Sequence, residues 1–457
     1  MRNTVKRASV LYVLIVAFFI GLGFMLYGFI ANGDSWAAYS VNEHLFKYRQ
    51  LTTAGTVYDR DGKILAQTVD GKRTYNEDAT VRKATLHTVG DSQGYIATGV
   101  QKVYRSELIG YSFVHGIYKT INSGKGSDIT LTIDSDISTT ALNALGNRKG
   151  TVGVYNYLTG EVVCMVSSPT YDPLNKPSDI NTDTTGKYDG IYINRFLSGV
   201  FTPGSTFKIV TAISALENIP DIMNRTFNCQ GSNPIDGGKV ICHSTHGNLS
   251  FKNALSHSCN CAFSAIAVEL GKEKLTQTVR DLGLGKNVVF GKNKSFRSTF
   301  DLSSATNLDL GWAGIGQFTT LVNPCQMMVL MGAIANNGTA IEPTLIKKMS
   351  GKLTLDLTDN VYSNITLAPE TAQQIKTLLR ANVTDYYKTK FDADLEMAGK
   401  TGTAEVSNGN PHAWFTGFSV NSALPYAVVV VIENGGSGSG EAIPVANKVM
   451  RAIADGQ

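Results

Sequence analysis

Phe201-Thr-Pro-Gly-Ser205-Thr-Phe-Lys208-Ile-Val-Thr-Ala-Ile213 sets a Pro-Gly turn against an apolar run, with Ser205 at the joint. Phe207, Ile209, Val210, Ala212 and Ile213 carry helical rather than alternating spacing, so Ser205 is expected in the first turn of a buried helix. Lys208 follows one turn later on the same face, roughly 5–6 Å away between β-carbons, within reach of the hydroxyl. An ordinary lysine is almost wholly charged at pH 7, and holding it neutral costs about 4–5 kcal/mol. Burial and the positive end of the helix dipole both disfavour the ammonium, which makes the pair a nucleophile beside a base. Taken alone, Ser-x-x-Lys also fits a helix cap followed by a solvated lysine.

The chain has 457 residues, 43% hydrophobic and 17% charged, enough for a large core and more than one domain. A net charge of +4 without a basic, aromatic-interleaved stripe gives no sign of a nucleic-acid partner. Residues 10–31 form an uninterrupted apolar stretch long enough to cross a bilayer. Arg2, Lys6 and Arg7 precede it, so residues 1–9 are expected in the cytoplasm and the rest outside. The stretch exceeds a signal-peptide core, and no convincing small-residue cleavage site follows, so an uncleaved single-pass anchor is expected.

After the anchor, residues 32–50 are polar and could prolong the helix. Residues 32–127 read as a small β-rich extracytoplasmic module, with a hairpin in Gly55–Ala66 around Asp61-Gly62 and a polar linker at Asn122–Ser127. Residues 128–457 form the second domain. Its strands are expected at Ile129–Ile133, Thr151–Tyr155, Glu161–Val166, His412–Phe418 and Tyr426–Ile432. Helices are expected at Asp134–Leu145, Ser205–Leu216, Asn253–Leu270, Pro324–Ala335, Pro369–Arg380 and from about Ala442 onward. Strands at both ends of a helical middle indicate an α+β fold, an antiparallel sheet flanked by helices with an all-helical subdomain. Gly435–Gly440 reads as a mobile Gly/Ser surface turn.

Two further motifs accompany the serine. Ser258-Cys-Asn260 heads the apolar run Cys261–Val268, where a hydroxyl and a carboxamide can both face a cleft; either residue alone also fits a helix cap. Lys400-Thr401-Gly402-Thr403 precedes a strand region, with small residues that admit a substrate backbone and hydroxyls and an amine suited to a carboxylate. Six cysteines in an exported chain leave three states open. Cys229 and Cys242 flank a Gly/Asn/Pro-rich loop that a disulfide could close. Cys229, Asp236, Cys242, His243 and His246, followed by Cys259 and Cys261, also have the residue types of a structural zinc site, and free thiols are the third state.

The ordered trio Ser205-x-x-Lys208, Ser258-x-Asn260 and Lys400-Thr-Gly402 resembles the penicillin-binding proteins and serine β-lactamases. Asn194-Arg195, Ser167-Ser-Pro-Thr-Tyr-Asp-Pro173, Gly314-Ile-Gly-Gln317, Ala335-Asn-Asn-Gly338, Gly399–Glu405 and the Asp59-Arg-Asp-Gly62 turn sharpen it to class B penicillin-binding proteins, from about Leu51 to the end. The resemblance implies a peptidoglycan D,D-transpeptidase that cross-links stem peptides and is acylated by β-lactams. It implies Ser205 as nucleophile, Lys208 as base, Ser258 as proton relay and Asn260 on the donor amide. Lys400 and Thr401 then bind or orient the terminal carboxylate, with Gly402 and Thr403 beside them in the substrate-binding stretch, and the N–H groups of Ser205 and Thr403 form the oxyanion hole. It requires no cofactor or catalytic metal, and it implies a membrane-embedded glycan polymerase and wall-synthesis complex as partners.

The sequence departs from the family in three places. Phe318 stands where a small residue is usual and is expected to narrow the groove. Ala54 replaces the usual Arg before Gly55, and Cys259 and Cys261 flank Asn260. A class A β-lactamase needs a Glu-x-x-Leu-Asn loop, and none lies between Asn260 and Lys400; the class D form usually has Val at the Asn260 position. A non-catalytic sensor or scaffold, and a D,D-carboxypeptidase that differs only in its acceptor, complete the alternatives.

Overall fold

A computed structural model describes residues 2–37, 54–110, 126–350, 361–407 and 409–456. The chain opens with one helix, Arg2–Ala37. Its apolar stretch Val10–Gly33 spans 24 residues, about 36 Å at 1.5 Å per residue, against a hydrocarbon core of about 30 Å. The helix continues past Asn32 to Ala37, and the rest of the stretch expected to prolong it lies outside the described residues, as does most of the Asn122–Ser127 linker.

Beyond the anchor, Val57–Tyr58 and Ile64–Val69 form the expected hairpin. Asp59 Oδ1 accepts the N–H groups of Asp61 at 3.1 Å and Lys63 at 2.8 Å, which closes the turn. Lys72–Tyr75 adds a third strand. The module also contains helices that the alternating pattern does not announce, the longest being Ala79–Val89. Its Thr and Val residues are poor helix formers. Burial of Val81, Ala84, Thr85, Leu86, Thr88 and Val89 overrides that preference. Ile129–Leu131, at the start of the segment expected to form the second domain, joins this N-terminal sheet. It runs parallel to Val57–Tyr58 and antiparallel to Ile346–Met349.

The second sheet is antiparallel throughout, in the order Met397–Ala404, His412–Ser419, Tyr426–Ile432, Gly150–Asn156, Val162–Ser168. Tyr426–Ile432 is buried along its whole length because both faces are covered. Val428, Val430 and Ile432 share a core with Leu142 and Leu145 of helix Ser135–Leu145 and with Val449 of helix Ile443–Asp455. Val429 and Val431 belong to the opposite core, with Met328 and Leu330 of helix Pro324–Ala335. Asp134 caps Ser135–Leu145 by accepting the N–H groups of Asp136 and Ile137.

The helical layer contains Lys208–Asn218, Asn260–Asp281, Asn307–Gly314, Pro324–Ala335 and Pro369–Ala381. The helix expected at Asn253–Leu270 is divided into Phe251–Ser256 and a segment that starts at Asn260 and breaks at Gly271, whose φ of 76° is not helical, before a further helical stretch runs to Asp281. Two short ribbons are inserted between the first two long helices. One pairs Thr226–Cys229 with Gly247–Ser250, the other Ser232–Ile235 with Gly238–Ile241. Two of the strings outside the trio, the Asp59–Gly62 turn and Ser167–Pro173, staple the two parts of the fold together. Arg82 makes a two-pronged, buried ion pair with Asp172, at 2.7 Å from Nε to Oδ1 and 2.6 Å from Nη2 to Oδ2. Arg60 pairs with Glu161 at 3.1 Å, and the Ser135 hydroxyl donates to Asp59 at 2.7 Å.

Candidate active site

Ser205 lies in the 3-10 turn Gly204–Phe207, which runs directly into helix Lys208–Asn218. Gly204 takes a φ of 51°, and a β-carbon there would stand 2.7 Å from the Thr403 carbonyl oxygen, so only glycine lets this turn lie against strand Met397–Ala404. Gly402 is the reciprocal contact: a β-carbon on it would meet Pro203 O at 2.5 Å. Serine turn and lysine strand are thereby held at backbone distance. Trp414 on the next strand donates its indole N–H to Thr202 O at 3.0 Å and fixes the approach.

Lys208 is completely buried, and its amine is the hub of the site. Nζ lies 3.1 Å from Ser205 Oγ, 2.6 Å from Ser258 O, 3.1 Å from Ser258 Oγ and 2.7 Å from Asn260 Oδ1. Burial lowers its pKa to about 7, opposed by the thiols of Cys242, Cys259 and Cys261. A neutral amine has two N–H donors and one lone pair. The two shortest contacts, to Ser258 O and Asn260 Oδ1, suit the donors, and the lone pair is left for the serine hydroxyl. The arrangement can accept a proton from Ser205 near neutral pH.

Ser258 can present both oxygens to one amine because its backbone is left-handed, with a φ of 55°. Such a conformation costs a non-glycine residue about 1–3 kcal/mol and concentrates at functional sites. It is held by Ser258 N–H to Leu255 O at 3.1 Å and Cys259 N–H to Ala254 O at 2.9 Å. The Asn260 side-chain N–H donates to Ile241 O at 2.8 Å, leaving Oδ1 for the lysine.

Lys400 is also fully buried and donates to Thr401 O at 3.1 Å. Burial, and then the charge of Lys208, holds its pKa well below the ordinary lysine range. Thr401 is oriented by Tyr387, whose oxygen lies 2.8 Å from Thr401 Oγ1 and accepts the Thr401 N–H at 3.1 Å. Burial pushes the Tyr387 phenol up to about 12. No motif signalled this tyrosine, because it precedes the strand on a π-turn, Asn382–Tyr387. A cavity of about 220 Å³ opens over the hub, lined by Ser205, Asn260 and Thr403 and also by Trp312, Gln317 and Glu405.

Two expectations need correcting. Phe318 has a φ of 61°, is exposed, and does not line this cavity, so it does not narrow the groove. The Gly435–Gly440 segment is not a free surface turn: Gly438 is buried against the backbones of Gly402 and Trp414 and donates its N–H to Thr403 Oγ1 at 3.4 Å.

A second constellation adjoins the wall of the site. Cys229, Cys242, His246 and Cys259 bring their sulfur and nitrogen atoms within 4.8 Å of one another, and all six cysteines are free thiols. The sulfurs of Cys242 and Cys259 lie 4.0 Å apart, and their contact holds the Cys242 thiol well below its ordinary range and raises that of Cys259. Burial lowers the His246 pKa and so favours the neutral ring.

The model of the penicillin-binding protein transpeptidase domain matches residues 150–455, two thirds of the sequence. The chain belongs to this family. Among relatives of this penicillin-binding protein, the peptidoglycan D,D-transpeptidase PbpA of Mycolicibacterium smegmatis is 25% identical, over 95% of this chain and 94% of its own length. The peptidoglycan D,D-transpeptidase MrdA of Haemophilus influenzae is 26% identical over 92% of this chain and 71% of its own. The D,D-transpeptidase domain of a peptidoglycan glycosyltransferase from Eggerthella lenta superposes with a TM-score of 0.76 at 27% identity, covering 88% of this chain and 98% of that domain. The class B resemblance and the α+β transpeptidase fold, with its one apolar N-terminal helix, are as the sequence indicated.

Proposed function

We propose that this chain is a membrane-anchored peptidoglycan D,D-transpeptidase that works through an acyl-serine intermediate. The observation that carries the reading is the buried Lys208 amine, 3.1 Å from Ser205 Oγ with its other contacts on Ser258 and Asn260. Lys208 takes the Ser205 proton as Oγ attacks the penultimate D-alanine carbonyl. Backbone N–H groups of Ser205 and Thr403 stabilise the oxyanion, each worth roughly 3–4 kcal/mol in comparable sites. The C–N bond to the terminal D-alanine then breaks, and Ser258 Oγ relays the proton to the leaving amine. Asn260 holds the donor amide. Lys400 and the Thr401 and Thr403 hydroxyls hold the terminal carboxylate beside Gly402. An acceptor amine from a second stem peptide resolves the ester, and no metal enters the reaction.

The basic residues Arg2, Lys6 and Arg7 ahead of the apolar helix support a cytoplasmic N-terminus with the catalytic part outside. That placement puts the anchor where a membrane-embedded glycan polymerase and wall-synthesis complex can be joined. The full chain in detergent, treated with penicillin, is expected to gain one covalent adduct on Ser205 that persists for hours, as read by intact-protein mass spectrometry. An unmodified protein, an adduct retained in Ser205→Ala, or release within seconds refutes the assignment, the last favouring a β-lactamase.

A further inference from the structure

We propose that Asn382 is a positioning residue for the reaction proposed above: its buried carboxamide sets the gap between the wall that carries Ser258 and the strand that carries Lys400. The role rests on the transpeptidase reading, whereas the bridge itself is a feature of the fold.

Met397–Ala404 is an edge strand. Just ahead of it, Val420 N–H donates to Glu396 O at 3.1 Å, so the even-numbered residues turn their backbone groups to strand His412–Ser419 and the odd-numbered ones turn theirs outward. A bare edge of this kind invites pairing with another chain. Here side chains from one short segment cover it in steps of two residues. Arg380 Nη1 donates to Met397 O at 2.7 Å, Asn382 Nδ2 donates to Gly399 O at 3.2 Å, and the Tyr387 oxygen accepts Thr401 N–H at 3.1 Å. The next outward residue is Thr403, the second oxyanion donor of the proposed mechanism.

Asn382 also reaches the opposite wall. The Ser256 hydroxyl donates to its Oδ1 at 2.9 Å. Gly399 O can only accept, which fixes the orientation of the amide and leaves Oδ1 for the serine. Ser256 ends helix Phe251–Ser256, and in the same turn the carbonyls of Leu255 and Ala254 take the N–H groups of Ser258 and Cys259 that hold the left-handed backbone at Ser258. The two partners of one carboxamide therefore stand two residues from Ser258 and one residue from Lys400. Asn382, Ser256 and Gly399 are all buried, so water does not replace either bond. Lys252 and Asp385 add a second link between the same helix and segment at 2.8 Å, but both side chains are about half exposed and such a pair holds weakly. Asn382 and Tyr387 are the first and last residues of the π-turn, a rare winding that recurs at functional sites.

The donor peptide has to touch both walls at once, Asn260 on one and Lys400 to Thr403 on the other, so the gap decides whether its carbonyl meets Ser205 Oγ in line. A misplacement of about 1 Å can cost about a hundredfold in rate. Tyr387 orients one hydroxyl and bears on affinity. Asn382 spaces the walls and bears on the acylation rate itself.

The test uses the full chain in detergent and a fluorescent penicillin, with the acylation rate at saturation and the half-saturating concentration read separately. Asn382→Leu, which keeps the branched shape without the hydrogen bonds, is expected to lower the rate at saturation by about 10–100-fold. Ser256→Ala is expected to lower it about tenfold, roughly one hydrogen bond, and Ser256→Thr, which keeps the hydroxyl, to return it to near wild type. Ser256→Ala combined with Asn382→Leu is expected to be no slower than Asn382→Leu alone, because the two residues act as a unit. Each variant is expected to keep the wild-type inflection in its pH profile, since the contacts of Lys208 are untouched, whereas a loosening that admits water to that amine raises it. Because Asn382→Leu can fail to fold, Ser256→Ala is decisive by itself. A wild-type rate at saturation in that variant, a loss confined to half-saturation, or a displaced inflection overturns the role of Asn382. A wild type that takes up no penicillin overturns instead the reading on which the role rests.

Discussion

The lowered pKa of Lys208 gives the proposed mechanism a specific pH profile. With burial holding the amine at about 7, about 9% is neutral at pH 6, half at pH 7 and about 91% at pH 8. If acylation follows the neutral amine, its second-order rate constant rises about tenfold from pH 6 to pH 8 and then levels. A lysine with an ordinary pKa near 10.4 would give about a hundredfold rise across the same interval with no plateau. The measurement is the rate of Ser205 acylation by a fluorescent penicillin, at concentrations well below saturation, from pH 5.5 to 9. Unit slope persisting to pH 9, or a flat profile, would refute the role assigned to the buried amine. Cys242 is first among the thiols that act against burial, so the inflection is also sensitive to its charge.

Three shorter predictions follow from other parts of the structure. Lys208 is depressed in the folded state, so the unfolded chain binds the extra proton between about pH 7 and the ordinary lysine range, and stability rises with pH across that window. Lys208→Met should lose that slope in denaturant unfolding at pH 7 and pH 9, and should form no penicillin adduct. Arg82→Ala leaves Asp172 buried without its partner, at a cost of about 3–5 kcal/mol, measurable as a lower unfolding midpoint. Tyr387→Phe removes the oxygen that orients Thr401, so β-lactam affinity should fall about tenfold, roughly one hydrogen bond, while the acylation rate at saturation stays near wild type.

Much of this site is legible because its chemistry is local in sequence. Ser205 and Lys208 stand one helical turn apart, Ser258 and Asn260 two residues apart, and Lys400 to Thr403 are consecutive, so spacing alone brings each group together. What brings the three groups to one amine is not local. Ser258 reaches Lys208 with two oxygens only through a left-handed backbone, which a serine does not advertise. Tyr387 acts on Thr401 from a π-turn that no periodicity marks. The cysteine types and rough spacing bring a metal to mind, yet spacing does not separate Cys259, whose sulfur caps a helix start and converges with Cys229, Cys242 and His246, from Cys261 two residues on. Phe318 misleads for a similar reason, because a positive φ turns its ring to solvent.

The N-terminal sheet has a consequence for how the chain can be divided. Ile129–Leu131 joins Val57–Tyr58 on one edge and Ile346–Met349, from far beyond the serine, on the other. Thr344, just ahead of that last strand, is hydrogen-bonded to Gly160 and Val162 of the catalytic sheet. Cutting before residue 128 would therefore bare a raw edge and unfasten a clasp that reaches the catalytic half. Residues 54–110, which carry no chemistry of their own, are thus tied into the same clasp that the later strand Ile346–Met349 closes.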